Sequence, residues 1–275
     1  MFNEHIFDYL RTDKLPHIWC PGCAHGIIVG SLLRSIEKLK LDKNKIAVLS
    51  GIGCSGRTPG YLDMNTLHTT HGRSLTFATG IKMAKPELTV IDVMGDGDAV
   101  AIGGNHFIHA CRRNIDIKAI IFNNNIYGMT GGQYSPTTPI NYYASTAPYG
   151  NVEPSFDIVK LATGAGASFV ARADAYHIAL LDNVMEKALS HKGFSVVEVM
   201  ATCPTQFGRR NKMKEPYQML DFVAERAVSL KKWQEMSEEE KKGKFPIGIF
   251  VDEQRDEYVE TYEKNVIEKA KRGEK

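Results

Sequence analysis

The amino-acid sequence predicts an α/β protein built on a doubly wound, mainly parallel β-sheet. Short apolar runs rich in β-branched residues alternate with helix-like segments, which is the pattern of parallel strands joined by crossover helices. Two of these runs, residues 88–94 and 117–122, are apolar on both faces, as buried parallel strands are. A hydrophobic fraction of 43% over 275 residues is sufficient for a large core.

The elements follow one another in a regular order. The predicted strands are residues 45–50, 88–94, 117–123, 167–171 and 194–200, and the predicted helices are residues 24–39, 74–85, 102–113, 157–164 and 176–190. Residues 128–154 are dense in Gly, Thr, Ser, Tyr and Pro and predict a long ordered loop with a function. We expect a main domain over residues 1–215. Residues 216–275 are predicted as a C-terminal extension, packed on that domain or on a partner, with a charged helix (233–244), an edge strand (245–251) and a final helix.

Charge and hydropathy narrow the class of protein. A net charge of +2 without a basic stripe gives no reason to expect a nucleic-acid partner. The short basic stretch 209–214 is interpreted as a solvated loop or as a docking patch for an acidic electron carrier. The first residues lack a secretory pattern, and no apolar run reaches the roughly 20 residues that cross a bilayer. We therefore expect a cytoplasmic protein with no membrane partner.

Polar residues follow two consecutive predicted strands. The motif GDGD at residues 95–98 ends one strand, and Asn124 ends the next, 28 residues after Asp96. A strand–helix–strand unit of roughly 30 residues brings these two ends together at one edge of the sheet. Each motif alone is common turn chemistry. Together they predict an oxygen-ligand site for Mg²⁺ that bridges a diphosphate, next to a helix amino terminus.

Four of the five cysteines form a second candidate site. Cys20 and Cys23 form a CxxC motif, Cys54 lies in the glycine-rich segment 51–56, and Cys203 follows a predicted strand. Four thiolates satisfy either a [4Fe-4S] cluster or a zinc ion, although zinc sites often use two CxxC motifs. The fifth cysteine, Cys111, lies inside a predicted helix and is assigned to packing.

The segment 51–56 also satisfies the GxGxxG pattern of dinucleotide-binding sites. That pattern should begin a helix and be followed about 20 residues later by an acidic residue. Here Pro59 and Gly60 interrupt the helix, and no acidic residue stands near Ser74. We therefore reject a dinucleotide site.

Residues 95–139 resemble a known family over their whole length. The GDG motif and the closing Asn124 resemble the thiamine-diphosphate motif, and the complete stretch resembles the β subunits of 2-oxoacid:ferredoxin oxidoreductases. The spacing of the four cysteines resembles the cluster pattern of the same subunits. The resemblance implies a thiamine-diphosphate-binding (pyrophosphate-type) fold and assigns thiamine diphosphate, Mg²⁺ and a [4Fe-4S] cluster as cofactors.

The resemblance also implies the roles of individual residues. It assigns Mg²⁺ to Asp96, Asn124 and the carbonyl of Ile126, and it makes His71 a candidate to contact the cofactor or substrate, with His68 in support. It assigns the cluster to Cys20, Cys23, Cys54 and Cys203. The residues that it places against thiamine diphosphate are Ile52, Gly53, Cys54, Ser55, His71, Gly95, Gly97, Asp98, Gly128 and Met129.

The implied activity is oxidative decarboxylation of a 2-oxoacid to acyl-CoA, or the reverse reaction, with electrons passing singly to ferredoxin. The resemblance assigns the glutamate that activates thiamine to a partner α subunit, since Glu153 is the nearest candidate here and is interpreted as loop structure. The chain alone is therefore expected to bind the cofactor poorly and to be inactive.

The substrate and the protein class each have alternatives. Residues 127–139 look most like members that act on 2-oxoglutarate, but pyruvate or a broad range of 2-oxoacids stays open because some broad-specificity relatives carry lysine at the position of Gly131. A non-catalytic zinc-binding interaction subunit and a thiamine decarboxylase or synthase without an electron carrier are the two rivals; the four cysteines argue against the second.

Overall fold

The computed structural model describes residues 4–213 and 215–273. Its strands, β1 to β10 in chain order, are Ile46–Ser50, Asn65–His68, Thr89–Gly95, Ile117–Asn123, Ile126–Tyr127, Gln133–Tyr134, Phe169–Asp174, Ser195–Met200, Ala227–Ser229 and Phe245–Asp252. Its α-helices, α1 to α11, are His25–Lys38, Thr58–Tyr61, Ser74–Ala84, Gly104–Arg113, Ile158–Gly164, Ile178–Ser190, Pro216–Ala224, Leu230–Glu235, Glu238–Lys241, Tyr258–Tyr262 and Glu268–Arg272. Short 3-10 or π-helical turns are Glu4–Tyr9, Thr12–Lys14, Lys43–Lys45, Ser55–Arg57, Asp98–Ile102, Pro204–Gly208 and Glu263–Ile267.

Eight of the strands form one twisted sheet in the order β2-β1-β3-β4-β8-β7-β10-β9. All neighbouring pairs are parallel except β10 against β7. From β1 the chain moves outward to β2 on one side and then returns to β3 on the other. The order of strands therefore reverses between β1 and β3, and the loops after them diverge to leave a crevice where α/β proteins bind ligands.

Alternate side chains of the central strands enter two separate cores, one on each face of the sheet. Ile91 and Val93 of β3 pack with helices α1 and α6, whereas Val90 and Met94 pack with α3, α4 and α5. Strand β4 is buried over its whole length. The predicted α/β fold with a mainly parallel, doubly covered sheet is confirmed.

The element predictions hold best where the apolar runs are longest. All five predicted strands occur within three residues of the expected bounds at either end. The predicted helix 102–113 begins with a π-helical turn, Asp98–Ile102, before α4. The predicted helix 233–244 is wrong as one element, because Ser237 caps a new helix through a reciprocal pair of bonds with Glu240. The expected edge position of strand 245–251 is also wrong, since β9 pairs with its outer side.

None of the helices within residues 4–213 and 215–273 combines the length and the apolar character that a membrane span requires.

Candidate functional site

A narrow cavity of about 80 Å³ lies at the carboxyl ends of β1, β3 and β4. It occupies the crevice where the strand order reverses, so three loops that are distant in sequence line it. All the residues predicted to bind thiamine diphosphate and Mg²⁺ are among those lining this cavity, which we call the diphosphate cavity: His25, Ile52, Gly53, Cys54, Ser55, His71, Gly95, Asp96, Gly97, Asp98, Phe122, Asn124, Ile126, Tyr127, Gly128, Met129 and Thr130.

Asp96 is fixed by hydroxyl groups from the long loop. Ser135 and Thr137 donate hydrogen bonds of 2.5 and 2.6 Å to the same carboxylate oxygen, Oδ2. No described side chain donates to the other oxygen, Oδ1, and the backbone N–H groups of Asp96 and Gly97 also bond to the carboxylate. Burial raises the pKa of Asp96 to about 6, and the two hydroxyl groups act in the opposite direction.

The Asn run after β4 supplies the second half of this site. Asn124 is buried, and its side-chain oxygen accepts from the backbone N–H of Ile126 at 3.3 Å, so the two predicted Mg²⁺ ligands stand together. The side-chain oxygen of the neighbouring Asn123 lies 3.0 Å from the Thr137 hydroxyl, and its amide nitrogen donates to Glu198 at 2.7 Å. The hydroxyl group that holds Asp96 is therefore itself held by a buried polar network.

Asp98 connects three loops around the cavity. Its carboxylate contacts Nδ1 of His71 and accepts from the backbone N–H groups of Gly72 at 2.7 Å and Ile52 at 3.3 Å. A carboxylate accepts hydrogen bonds, so Nδ1 carries the proton and Nε2 is left for a bound group. His68 contacts Ser50 at 2.9 Å and lies outside the diphosphate cavity.

Gly97 is required by a close contact. A Cβ atom at this position would lie 2.1 Å from the ring of Tyr127. The glycine therefore lets the tyrosine close one side of the cavity, and the Tyr127 hydroxyl contacts the Gly97 carbonyl at 3.4 Å. Sequence reasoning did not single out Tyr127, because an aromatic residue after a strand carries no specific signal.

The four predicted cluster cysteines line a second cavity of about 220 Å³, which we call the cysteine pocket. Cys20 is exposed, Cys23 and Cys54 are half-buried, and Cys203 is buried. The sulfurs of Cys203 and Cys54 flank Gly128, since a Cβ atom there would lie 3.3 and 3.7 Å from them. The other cysteine, Cys111, is buried in the core between the sheet and α3–α5 and lies outside this pocket.

Local contacts explain how distant segments bring the cysteines together. The backbone N–H of Cys23 donates to the carbonyl of Cys20 at 3.0 Å and closes the CxxC turn. The Trp19 indole N–H donates to the carbonyl of Cys54 at 2.7 Å, and the Thr202 hydroxyl donates to the carbonyl of Gly22 at 2.8 Å. The turn is thus tied both to the loop after β1 and to the end of β8.

Three thiols of the pocket, those of Cys23, Cys54 and Cys203, have raised pKa values. Burial raises the pKa of Cys23 to about 12 and that of Cys54 to about 11, and it raises the pKa of Cys203 as well. A metal that binds cysteine takes the thiolate form and releases the proton.

Four cysteines could hold either a [4Fe-4S] cluster or a zinc ion, and the two require different spacings between the sulfurs. Within the described residues, no three His, Cys, Asp or Glu side chains form a group that could hold a metal ion. Sulfurs around a single zinc ion stand roughly 3.8 Å apart, as follows from zinc–sulfur bonds of about 2.3 Å in a tetrahedron. A four-iron cluster places iron and sulfide between its cysteines and needs them further apart.

Comparisons with known proteins agree with this geometry. Residues 51–199 match the thiamine pyrophosphate enzyme family in its C-terminal TPP-binding domain. Over 263 residues the chain is 51% identical to the 2-oxoglutarate synthase subunit KorB of Methanocaldococcus jannaschii, which covers 96% of this chain and 97% of that protein. The chain belongs to the β subunits of the 2-oxoacid:ferredoxin oxidoreductases.

Other members of this family are also similar to it. A 2-oxoacid:ferredoxin oxidoreductase β subunit from Saccharolobus solfataricus is 38% identical over 273 residues, covering 92% of this chain and 86% of that one. The solved 2-oxoglutarate:ferredoxin oxidoreductase of Magnetococcus marinus, with 2-oxoglutarate, coenzyme A and succinyl-CoA bound, superposes with a TM-score of 0.86 at 31% identity. That match covers 100% of this chain and 93% of the solved chain.

Membership of the family confirms the predicted resemblance, the fold and the enzyme class. As an oxidoreductase β subunit with a TPP-binding domain, the chain is a subunit of a thiamine-diphosphate enzyme and implies an α partner. The roles of single residues stay predictions.

Besides Tyr127, three further residues of the site escaped sequence reasoning. Ser135 and Thr137 were placed in a functional loop and in the stretch that resembles members acting on 2-oxoglutarate, but not beside Asp96, because loop sequences do not show which hydroxyl groups turn inward. His25 lines the diphosphate cavity and contacts the Cys23 sulfur. Its position two residues after the CxxC motif was a signal that could have been used. Complete burial lowers the pKa of His25 to about 3.

Proposed function

We propose that this chain binds thiamine diphosphate and a [4Fe-4S] cluster side by side. The enzyme it belongs to would oxidatively decarboxylate 2-oxoglutarate to an acyl-CoA, or run the reverse carboxylation, with electrons exchanged with ferredoxin. One observation carries the proposal: the diphosphate cavity and the cysteine pocket share a wall. Cys54, Asn124, Gly128 and Met129 line both of them. Electrons leaving one cavity would have only this wall to cross.

The diphosphate cavity would hold the cofactor through Mg²⁺. Oδ1 of Asp96, the Asn124 side chain and the Ile126 carbonyl supply three oxygens, and a diphosphate with water would complete an octahedral shell. Ser135 and Thr137 fix the carboxylate through its other oxygen, Oδ2. When bound, thiamine diphosphate supplies the carbanion chemistry at the 2-oxo carbon. The residues of this chain bind it, orient it and exclude water.

The cysteine pocket would provide the electron exit. Cys54 lies in the shared wall, whereas Cys20 lines the same pocket and is exposed. A [4Fe-4S] cluster accepts one electron at a time, so two transfers would serve each turnover. A small electron carrier such as ferredoxin would dock where Cys20 reaches the surface.

The dicarboxylate 2-oxoglutarate is favoured over pyruvate by a cation beside the cavity. The Arg210 guanidinium donates to the Gly131 carbonyl at 3.2 Å, and Thr130, the residue before that glycine, lines the diphosphate cavity. A guanidinium group suits a second carboxylate. We therefore propose that Arg210 supplies the charge that broad-specificity relatives place on a lysine at position 131.

The activating glutamate would come from the partner α subunit. Among the described residues that line the diphosphate cavity, none is a glutamate. Glu153 accepts a hydrogen bond from the Tyr134 hydroxyl at 3.2 Å and remains in the loop. The cofactor would therefore be complete only at the interface between the two subunits.

Turnover by the anaerobically co-purified α/β complex tests this function. We expect 2-oxoglutarate and coenzyme A together to drive reduction of ferredoxin, and the β chain alone to be inactive. Arg210→Met should lower kcat/KM for 2-oxoglutarate at least about tenfold and leave the value for pyruvate unchanged. Decarboxylation by the β chain alone, or stoichiometric zinc without thiamine, would contradict the proposal.

A further inference from the structure

A buried histidine stands between the two cavities without a role so far. His25 is the first residue of α1 and is only 1% exposed. Its ring lies edge-on to Phe122, with centroids 5.0 Å apart, and to Trp19 at 5.7 Å. The two aromatic rings hold the imidazole in one orientation. The same ring lines the diphosphate cavity.

Nδ1 of this imidazole lies 3.2 Å from the Cys23 sulfur. A cysteine bound to iron is a thiolate, which has no proton and can only accept a hydrogen bond. The proton between the two atoms must then belong to Nδ1. The geometry thus defines which nitrogen of the histidine carries hydrogen when a cluster is bound. No other cysteine sulfur in the described part of the pocket has a side-chain hydrogen-bond contact of this kind.

We propose that His25 is a positioning residue that donates its Nδ1–H to the Cys23 sulfur and thereby raises the reduction potential of the cluster. The inference rests on the proposed function, since it requires a cluster in the cysteine pocket. Reduction adds one negative charge to the cluster and its sulfurs. A hydrogen-bond donor stabilises the reduced form more than the oxidised form, which is a general means of setting iron–sulfur potentials. The electron enters the cluster and the proton stays on Nδ1, so no bond is broken.

The location of the donor indicates how a raised cluster potential would serve electron transfer. His25 sits at the side of the cluster site that faces the diphosphate cavity, from which electrons would arrive. A higher potential at that cluster makes it a better acceptor for each electron. Loss of the hydrogen bond should therefore slow reduction of the cluster by substrate while leaving thiamine diphosphate in place.

Two variants separate the hydrogen bond from the packing of the ring. In His25→Asn the amide nitrogen can take the place of Nδ1, whereas His25→Leu fills the space without a donor. EPR-monitored redox titration of the anaerobic α/β complex should give a lower cluster midpoint potential for the leucine variant and a value close to wild type for the asparagine variant. An unchanged potential in a leucine variant that retains its iron would overturn the inference.

A measurement on the unaltered protein covers the case in which the leucine variant fails to fold. Wild-type complex labelled with ¹⁵N only in the histidine imidazole should show nitrogen coupling to the reduced cluster in pulsed EPR, and His25→Asn should lose it. A reduced cluster without such coupling would overturn the inference and leave the proposed function intact. A wild-type complex without any [4Fe-4S] signal would overturn both.

Discussion

The diphosphate cavity and the cysteine pocket share a wall but are built in opposite ways. The key groups of the first, Asp96 and Asn124, follow adjacent strands, and loop hydroxyl groups already hold the carboxylate at 2.5–2.6 Å. The cysteines of the second come from the amino-terminal turn, the loop after β1 and the end of β8, and only Cys23 has a side-chain partner among the contacts described for them. Contacts within the polypeptide hold the key carboxylate of the first site, whereas the proposed cluster would complete the second.

The two sites also differ in the ionisation of their key groups. With a pKa of about 6, Asp96 is largely ionised at neutral pH, so it is ready for a cation. Cys23 and Cys54, with pKa values of about 12 and 11, are protonated there and ionise only as metal replaces the proton. A preformed oxygen site and a metal-assembled sulfur site should therefore fail independently when each is altered.

The largest expected effect comes from removing a cluster ligand. Cys203→Ser should eliminate the [4Fe-4S] signal and lower ferredoxin reduction at least about 100-fold, because three thiolates cannot hold all four irons. Thiamine content should stay at the wild-type level. Iron and thiamine analysis of the purified complex checks this. The matched control is Cys111→Ser, because Cys111 is a buried cysteine outside the pocket, and this variant should retain both cofactors. Loss of iron from Cys111→Ser would show that iron loss does not depend on the pocket cysteines.

The converse variant alters the preformed site. Asp96→Asn keeps the shape of the side chain but removes its charge, so affinity for Mg²⁺ and thiamine diphosphate should fall by about 10- to 100-fold while iron content is unchanged. Calorimetric titration with the cofactor measures the effect. Asp92→Asn is the control, because Asp92 is a buried carboxylate on β3, the strand that leads to Asp96, and does not line the cavity. Joint loss of iron and thiamine in Asp96→Asn would show that the sites are not independent.

A smaller effect should come from the hydroxyl groups that fix Asp96. Thr137→Val preserves the volume and removes one hydrogen bond to the carboxylate, which is worth about 1–2 kcal/mol and about a tenfold loss of cofactor affinity. Thr79→Val provides a comparison, since among the described residues its hydroxyl bonds only to the Leu75 carbonyl within α3. Equal affinities of Thr137→Val and wild type would mean that the metal, rather than the loop, organises Asp96.

The sequence predicts the parts of this molecule that depend on neighbouring segments. Apolar runs define β3 and β4, and their order puts Asp96 near Asn124 without further information. Strand β2 was not predicted because it is largely exposed and has no apolar run, and β9 has only three residues. Because the short strand β9 was missed, β10 was wrongly assigned to the edge of the sheet.

Contacts between distant segments were harder to predict from the sequence. Which loop hydroxyl groups turn towards Asp96 depends on the folded path of residues 128–154, and the sequence contains no period that describes that path. The place of His25 beside Cys23 depends on how α1 packs against Phe122. Family resemblance named the four cysteines, but only the folded chain shows that Cys54 and Gly128 line both cavities.

Reduction of the cluster by substrate tests the central claim most directly. Anaerobic α/β complex is mixed with 2-oxoglutarate and frozen, and the reduced [4Fe-4S] signal is quantified by EPR. The side-by-side arrangement predicts a substrate-dependent signal that is lost in Cys203→Ser and, although its iron is retained, in Asp96→Asn. A wild-type complex with thiamine and iron bound whose cluster stays oxidised in the presence of substrate would contradict it.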